Sequence, residues 1–284
     1  MLQIIERMES REIPILPYKG PVLAQLLYGD VGVRQFGDID LFVRPQDVRH
    51  ARTVLLEMGY ALGMCLTARQ EQAYIKSASE LVFHGVHGRN LVEIQWRIVP
   101  RFFAVEFNLD DFFSRAIPVS ISGTNLRTLC LEDLFLVLCV HAAKHTWNQL
   151  SYLCDLARLI TMPEVNWDLI EKNAADLKIR RIVAVTLALL KRTNLVRLPE
   201  KVDTWLRSQP VLSKIVEKII RGMASGITES TETLAYFLLM LRVRERWQDR
   251  AAFLSWLLID SSSGEWNTVQ LPDRFFSLYR AVRP

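Results

Sequence analysis

The chain has 284 residues, half of them apolar, with 35 basic residues against 31 acidic ones and a net charge of +4. That is enough apolar length for one large core or two modest ones; the near balance of charge argues weakly against a dedicated nucleic-acid binder and leaves contact with RNA open. Four cysteines (Cys65, Cys130, Cys139 and Cys154) without a Cys-x-x-Cys spacing set aside a disulfide frame or a cysteine zinc site.

Residues 1–10 open on a helical pattern in which Leu2, Ile5 and Met8 share a face, and their mixed charge is unlike a secretory signal. A short apolar run (Ile13, Ile15, Leu16) then ends at Lys19-Gly20, and Pro21 opens a helix carrying Val22, Leu23, Leu26 and Leu27. Proline is pre-set for the first helical position, and glycine lets the backbone pass close to a ligand. The unpaired amides of such a helix start, the positive end of its dipole and the charge of Lys19 make this corner a seat for phosphates. Residues 38–43 alternate as a strand, with Ile39, Leu41 and Val43 on one side and Asp38, Asp40 and Phe42 on the other. Two carboxylates side by side repel, so either one takes up a proton or a divalent cation joins them. Hard oxygen ligands of this kind suit Mg²⁺. For Asp-x-Asp alone a solvated edge strand is the plainer reading; the phosphate seat just upstream reverses the odds.

Arg44-Pro45-Gln46-Asp47 reads as a helix start, Val48, Ala51, Leu55 and Met58 as that helix's stripe, and Gly59 as its stop. A short helix is expected over 67–77. Two strands follow, 80–86 and 90–99, joined by His87-Gly88-Arg89 as a hairpin turn. On the second strand Glu93, Gln95 and Arg97 share one face, while Val92, Ile94 and Trp96 share the other. Phe107, Phe112 and Phe113 come from an aromatic-rich stretch expected to pack between the two halves of the chain, and residues 119–129 read as a linker or a turned strand pair.

From Leu131 the periodicity is helical, with helices expected over 132–147, 150–161, 167–176, 180–193, 200–208, 211–224, 232–243 and 250–258, punctuated by Pro163, Pro199, Pro210 and Gly226. The longest apolar runs here fall far short of a membrane span, so a cytoplasmic protein without a membrane segment is expected. His141 and His145 lie on one helix face with Leu134 and Leu138. Two histidines one turn apart can hold a metal, yet the metalloprotease signature needs Glu where Ala142 stands. A zinc-dependent hydrolase using His141 and His145 is therefore the weaker reading, with no third ligand to name; partly buried, hydrogen-bonded histidines and direct substrate contact stand as equal alternatives. Arg242-Val243-Arg244-Glu245-Arg246-Trp247, with Asp249 beyond it, reads as an ion-pair face on a helix surface.

Lys19-Gly20, the helix after it, Tyr28, Arg34 and Asp38-Ile39-Asp40-Leu41 together resemble the nucleotidyltransferase superfamily, whose fold is shared with DNA polymerase beta. Within it they resemble a poorly characterised bacterial family in which Lys-Gly replaces the usual Gly-Ser pair. The resemblance implies an α+β fold: a small mixed sheet with flanking helices as the nucleotidyltransferase core (1–119), followed by an all-α helical domain (120–284). An N-terminal extension is expected to be missing relative to that family. The resemblance also implies that Asp38, Asp40 and Glu93 are catalytic and hold two Mg²⁺ ions, and that Lys19, Gly20 and Arg34 bind the nucleotide. Because a His-x-x-x-His helix followed by Trp147 and Leu153-Cys154-Asp155 recurs there, it implies cleft contacts for His141, Lys144, His145 and Asp155, with Gln95 standing where the family often has His. The reaction implied moves a nucleoside monophosphate from an NTP, with ATP the expected donor, to a small-molecule, peptide, protein or RNA acceptor, releasing pyrophosphate. The alternative is a catalytically weak or inactive nucleotide-binding or interaction module of the toxin–antitoxin kind.

Overall fold

The computed structural model describes residues 1–85, 90–209, 211–225, 233–260 and 278–279. The expected turn at His87-Gly88-Arg89 and the breaks at Pro210 and Gly226 lie outside the described residues. The fold is α+β, and contacts divide the chain into two units. One holds Met1–Cys130 with the described residues from Leu254 onward, and the other holds Leu131–Phe253.

The first unit is built on a five-stranded mixed sheet. Its strands are β1 (Ile15–Pro17), β2 (Asp38–Val43), β3 (Ala61–Leu62), β4 (Glu80–His84) and β5 (Leu91–Gln95), in the order β1-β2-β5-β4-β3. Only β2 and β5 run parallel; the other neighbours are antiparallel. Helices α1 (Leu2–Glu9), α2 (Gly20–Tyr28), α3 (Val48–Glu57), α4 (Ala68–Ser77) and α5 (Leu109–Arg115) flank it. Leu41, Phe42 and Val43 of β2 and Val92 and Ile94 of β5 are fully buried, so this parallel pair is the spine of the core.

Boundaries differ from the sequence pattern where local chemistry intervenes. The α3 helix begins at Val48 because Arg44–Asp47 forms a turn of its own, closed by the Asp47 N–H on the Arg44 carbonyl at 2.9 Å. A reciprocal pair of bonds between Thr67 and Gln70 starts α4, a capping box. The β5 strand stops at Gln95, short of 99, because the N–H groups of Trp96 and Arg97 turn to the carbonyl of Ser79. Residues 119–129 form most of a hairpin, β6 (Ile117–Ile121) with β7 (Thr124–Thr128), turned by Ser122 and Gly123 at positive φ. Phe107 and Phe112 find their partners within the sheet unit: Phe112 meets Phe42 at 5.8 Å and Phe107 at 5.6 Å, and Phe113 lies under the Arg44 guanidinium.

The second unit comprises α6 (Leu131–Lys144), α7 (Leu150–Ile160), α8 (Trp167–Asp176), α9 (Arg180–Arg192), α10 (Glu200–Arg207), α11 (Val211–Ser225), α12 (Leu234–Arg242) and the start of α13 (Trp247–Ile259). The α6 helix is buried almost all round, as a central helix must be when its sequence is apolar on every face. It ends at Lys144, before the expected 147, because Thr146 and Trp147 take positive φ. The indole of Trp147 is fully buried and donates to the Thr186 hydroxyl of α9 at 2.9 Å.

The cationic cluster at the end of α12 is a surface ion-pair face only in part: exposed Arg246 pairs with Asp249 at 3.4 Å, while Arg244 before it turns inward. Arg244 is buried in the turn between α12 and α13, where its carbonyl accepts from Arg181 and Arg250. Burial pulls its guanidinium down to about 10, against the pull of Asp249 and Tyr236. Glu245 accepts the N–H of Arg181 in place of a surface partner. Among the described residues no helix is long and apolar enough to cross a membrane.

Candidate active site

The parallel register sets Asp40 beside Glu93 and Phe42 beside Gln95. Alternation along both strands then turns Asp38, Asp40, Glu93 and Gln95 to one face. Carboxylate oxygens of Asp38, Asp40 and Glu93 come within 4.8 Å of one another, the one such group of three among the described residues. A fourth acid joins from the antiparallel side, since Glu80 of β4 stands opposite Gln95.

Two buried side chains, Lys19 and Gln95, organise this face. Lys19, at 7% exposure, places its Nζ 2.7 Å from Oδ1 of Asp40, which is only 1% exposed. Gln95 donates through Nε2 to Asp40 Oδ1 at 2.9 Å and to Glu93 Oε2 at 2.8 Å, with Glu80 Oε2 farther off at 3.4 Å. Tyr18 OH donates to Gln95 Oε1 at 2.5 Å, which fixes the amide with its amine toward the acids. The Tyr18 ring is stacked on Phe42 at 4.2 Å, so the hydroxyl is aimed by the core itself. Tyr18→Phe leaves the Gln95 carbonyl unpaired in a buried setting, and a loss of about 1–3 kcal/mol in denaturant titration is expected.

Gly20, at the start of α2, has φ +55, and a Cβ there would come 3.0 Å from the carbonyl oxygen of Asp38. The glycine thus lets the helix start lie directly against the strand that carries two of the acids. Gly20→Ala combines a left-handed backbone with that contact, and thermal melts should show about 2–3 kcal/mol of destabilisation.

Burial and mutual repulsion shift the acids of this face, and the Lys19 ammonium offsets them only in part. Burial, then Asp40, raises the Asp38 carboxyl above its usual range. Burial, then Glu80 and Asp40, pushes Glu93 up to about 7. Burial pulls the Lys19 ammonium down, but Asp40 and its neighbours outweigh it and the net shift is upward. Oδ2 of Asp40 is buried and accepts no hydrogen bond. Three carboxylates that converge within 4.8 Å, one of which keeps a buried oxygen without a hydrogen bond, are a donor set that fits a hard divalent cation.

The other expected residues fall into two places. Arg34 lies in the loop between α2 and β2, lining a surface hollow with Phe36 and Gly37, and its charge tempers the rise at Asp38. His141 and Lys144 on α6, His145 just beyond it and Asp155 on α7 belong to the helical unit. The two imidazoles are 4.7 Å apart and both face the Tyr152 ring, at 5.2 and 5.9 Å. They belong to no group of three metal-type ligands among the described residues. Sequence reasoning missed Tyr18 and Glu80. Counting back along the hairpin from its closing pair, Gly85 and Asn90, leads to Glu80 opposite Gln95, so the turn alone carried that signal.

A small mixed sheet whose parallel central pair carries acids on one face, beside a glycine-opened helix, is the architecture of a nucleotidyltransferase. Residues 1–193 match the family described as uncharacterised nucleotidyltransferase, and the chain belongs to that family. Among solved structures it is similar to ANT(2")-Ia in complex with adenylyl-2"-tobramycin, at 14% identity and a TM-score of 0.45 over 63% of this chain and 95% of that one. It is also similar to the lincomycin-bound lincosamide antibiotic adenylyltransferase LnuA, at 13% identity and a TM-score of 0.38 over 56% of this chain and 94% of that one. No curated protein matches the sequence.

Proposed function

We propose that the protein moves a nucleoside monophosphate from an NTP, with ATP the expected donor, to an acceptor oxygen, using Mg²⁺ held by Asp38, Asp40 and Glu93. The orphaned Oδ2 of Asp40 among three converging carboxylates carries this reading. When bound, the cation neutralises charge on the triphosphate and favours the ionised acceptor oxygen. The chain's own groups do the positioning on which phosphoryl chemistry chiefly depends. The start of α2 at Gly20 offers backbone amides to phosphate oxygens, with the charges of Lys19 and Arg34 adding to the attraction. Gln95, held by Tyr18, keeps the carboxylates of Asp40 and Glu93 in register. In the transfer the acceptor oxygen bonds to the α-phosphorus, the bond from that phosphorus to the bridging oxygen breaks, and pyrophosphate leaves.

The test is incubation with Mg²⁺, cell lysate and NTPs labelled at the α or the γ position, wild type against Asp38→Asn. Label transferred from the α position by wild type alone supports the proposal. Transfer from the γ position alone points to kinase-like chemistry. Thermal stabilisation by ATP with no label transferred in either form reassigns the protein to a nucleotide-binding module.

A further inference from the structure

Resting on the reading of the acid face as a cation site, we infer that the Lys19 ammonium stands in for one of two divalent cations, so that this face holds a single ion between Asp38, Asp40 Oδ2 and Glu93. The two oxygens of Asp40 are unequal. Oδ1 already accepts from Lys19 Nζ at 2.7 Å and from Gln95 Nε2 at 2.9 Å, which uses both its lone-pair directions, while Oδ2 accepts from nothing. A carboxylate that gives one oxygen to each of two metals needs both oxygens available. Here a second ion on Asp40 has to displace the ammonium from Oδ1.

That displacement is costly. Lys19 is the N-cap residue of α2, directly after Tyr18 and two positions past the end of β1, which pairs antiparallel with β2, so its backbone is held at both ends. Its side chain is buried, with Nζ also 5.0 Å from the centre of the Tyr18 ring. An ammonium pushed off Asp40 would be a buried charge without its partner. Charge points the same way. Asp38, Asp40, Glu93 and Glu80 supply four negative charges when ionised and Lys19 one positive, so one divalent ion leaves the face slightly negative and two make it positive.

The experiment counts Mn²⁺, a spectroscopic substitute for Mg²⁺, by electron paramagnetic resonance on the full chain. It is run with and without an ATP analogue carrying a methylene between the α- and β-phosphorus. Wild type is expected to hold one Mn²⁺ per chain in both conditions, lost in Asp38→Asn, and Lys19→Met is expected to hold two. Two Mn²⁺ on wild type, or one on a folded Lys19→Met, overturns the inference while leaving the cation site in place. No bound Mn²⁺ on wild type sinks both this inference and the reading on which it rests. Should Lys19→Met fail to fold, anomalous scattering from Mn²⁺-soaked wild-type crystals decides. One peak with Lys19 still on Oδ1 supports the inference, and a second peak at Oδ1 overturns it.

Discussion

Asp40→Ala should lower folding stability by about 3–5 kcal/mol, read as an earlier urea midpoint with an unchanged slope. Asp40 is almost fully buried, and it is the partner of the equally enclosed Lys19. Removing the carboxylate leaves an ammonium without its counter-charge inside the core, and it takes one acceptor from the Gln95 amide as well. Asp38 differs in each respect. It is half-buried, and its carboxyl is raised by burial and by Asp40, so ionising it works against the fold. Asp38→Asn relieves that repulsion and should melt at or slightly above wild type in EDTA, yet lose nucleotidyl transfer by about 10²–10³-fold. The contrast separates structure from chemistry on one strand. An Asp40→Ala protein as stable as wild type would show that Lys19 finds another partner. A fully active Asp38→Asn would remove Asp38 from the reaction.

The sequence showed these two acids because a strand's period of two is local: Asp38 and Asp40 share a face whatever the rest of the chain does. Lys19-Gly20-Pro21 was legible for the same reason, as a helix start with its own chemistry. Contacts made at a distance were another matter. Glu93 acquires its place from the parallel pairing of β2 with β5, which no local pattern announces, and only the resemblance to a known superfamily suggested it. Lys19 was read as a phosphate ligand, while its nearest charge is Asp40, 21 positions along the chain. That contact follows from the antiparallel return of β1 along β2. Burial was the other blind spot. Arg244 sits in a charged sequence that reads as solvated, yet the turn it occupies is closed over by α9 through Arg181. In the same way α6 stops early where Trp147 turns into the helical core and reaches Thr186.

Glu93 makes the folded protein sensitive to pH in a direction that a cation reverses. Its carboxyl rises from an ordinary 4.5 to about 7 in the metal-free fold, by burial first and by Glu80 and Asp40 next. The folded state therefore holds this proton more tightly than the unfolded chain does. The associated stability is complete below about pH 4.5 and disappears as pH rises through about 7. Melts in EDTA should accordingly show the fold losing about 2–3 kcal/mol across this window, a slope that Glu93→Gln greatly reduces, leaving the smaller contribution of Asp38. Mg²⁺ favours the ionised carboxylate and competes with the proton, so its stabilising effect should grow over the same interval, small near pH 5 and largest near pH 8. Each ion bound near pH 6 then releases part of a proton to solvent, measurable as a buffer-dependent heat in calorimetry. A wild-type EDTA profile that is flat from about pH 5 to 8, or a Mg²⁺ effect independent of pH, would show that Glu93 is ionised throughout and that the crowding of Glu80, Asp40 and Glu93 is relieved by something other than a proton.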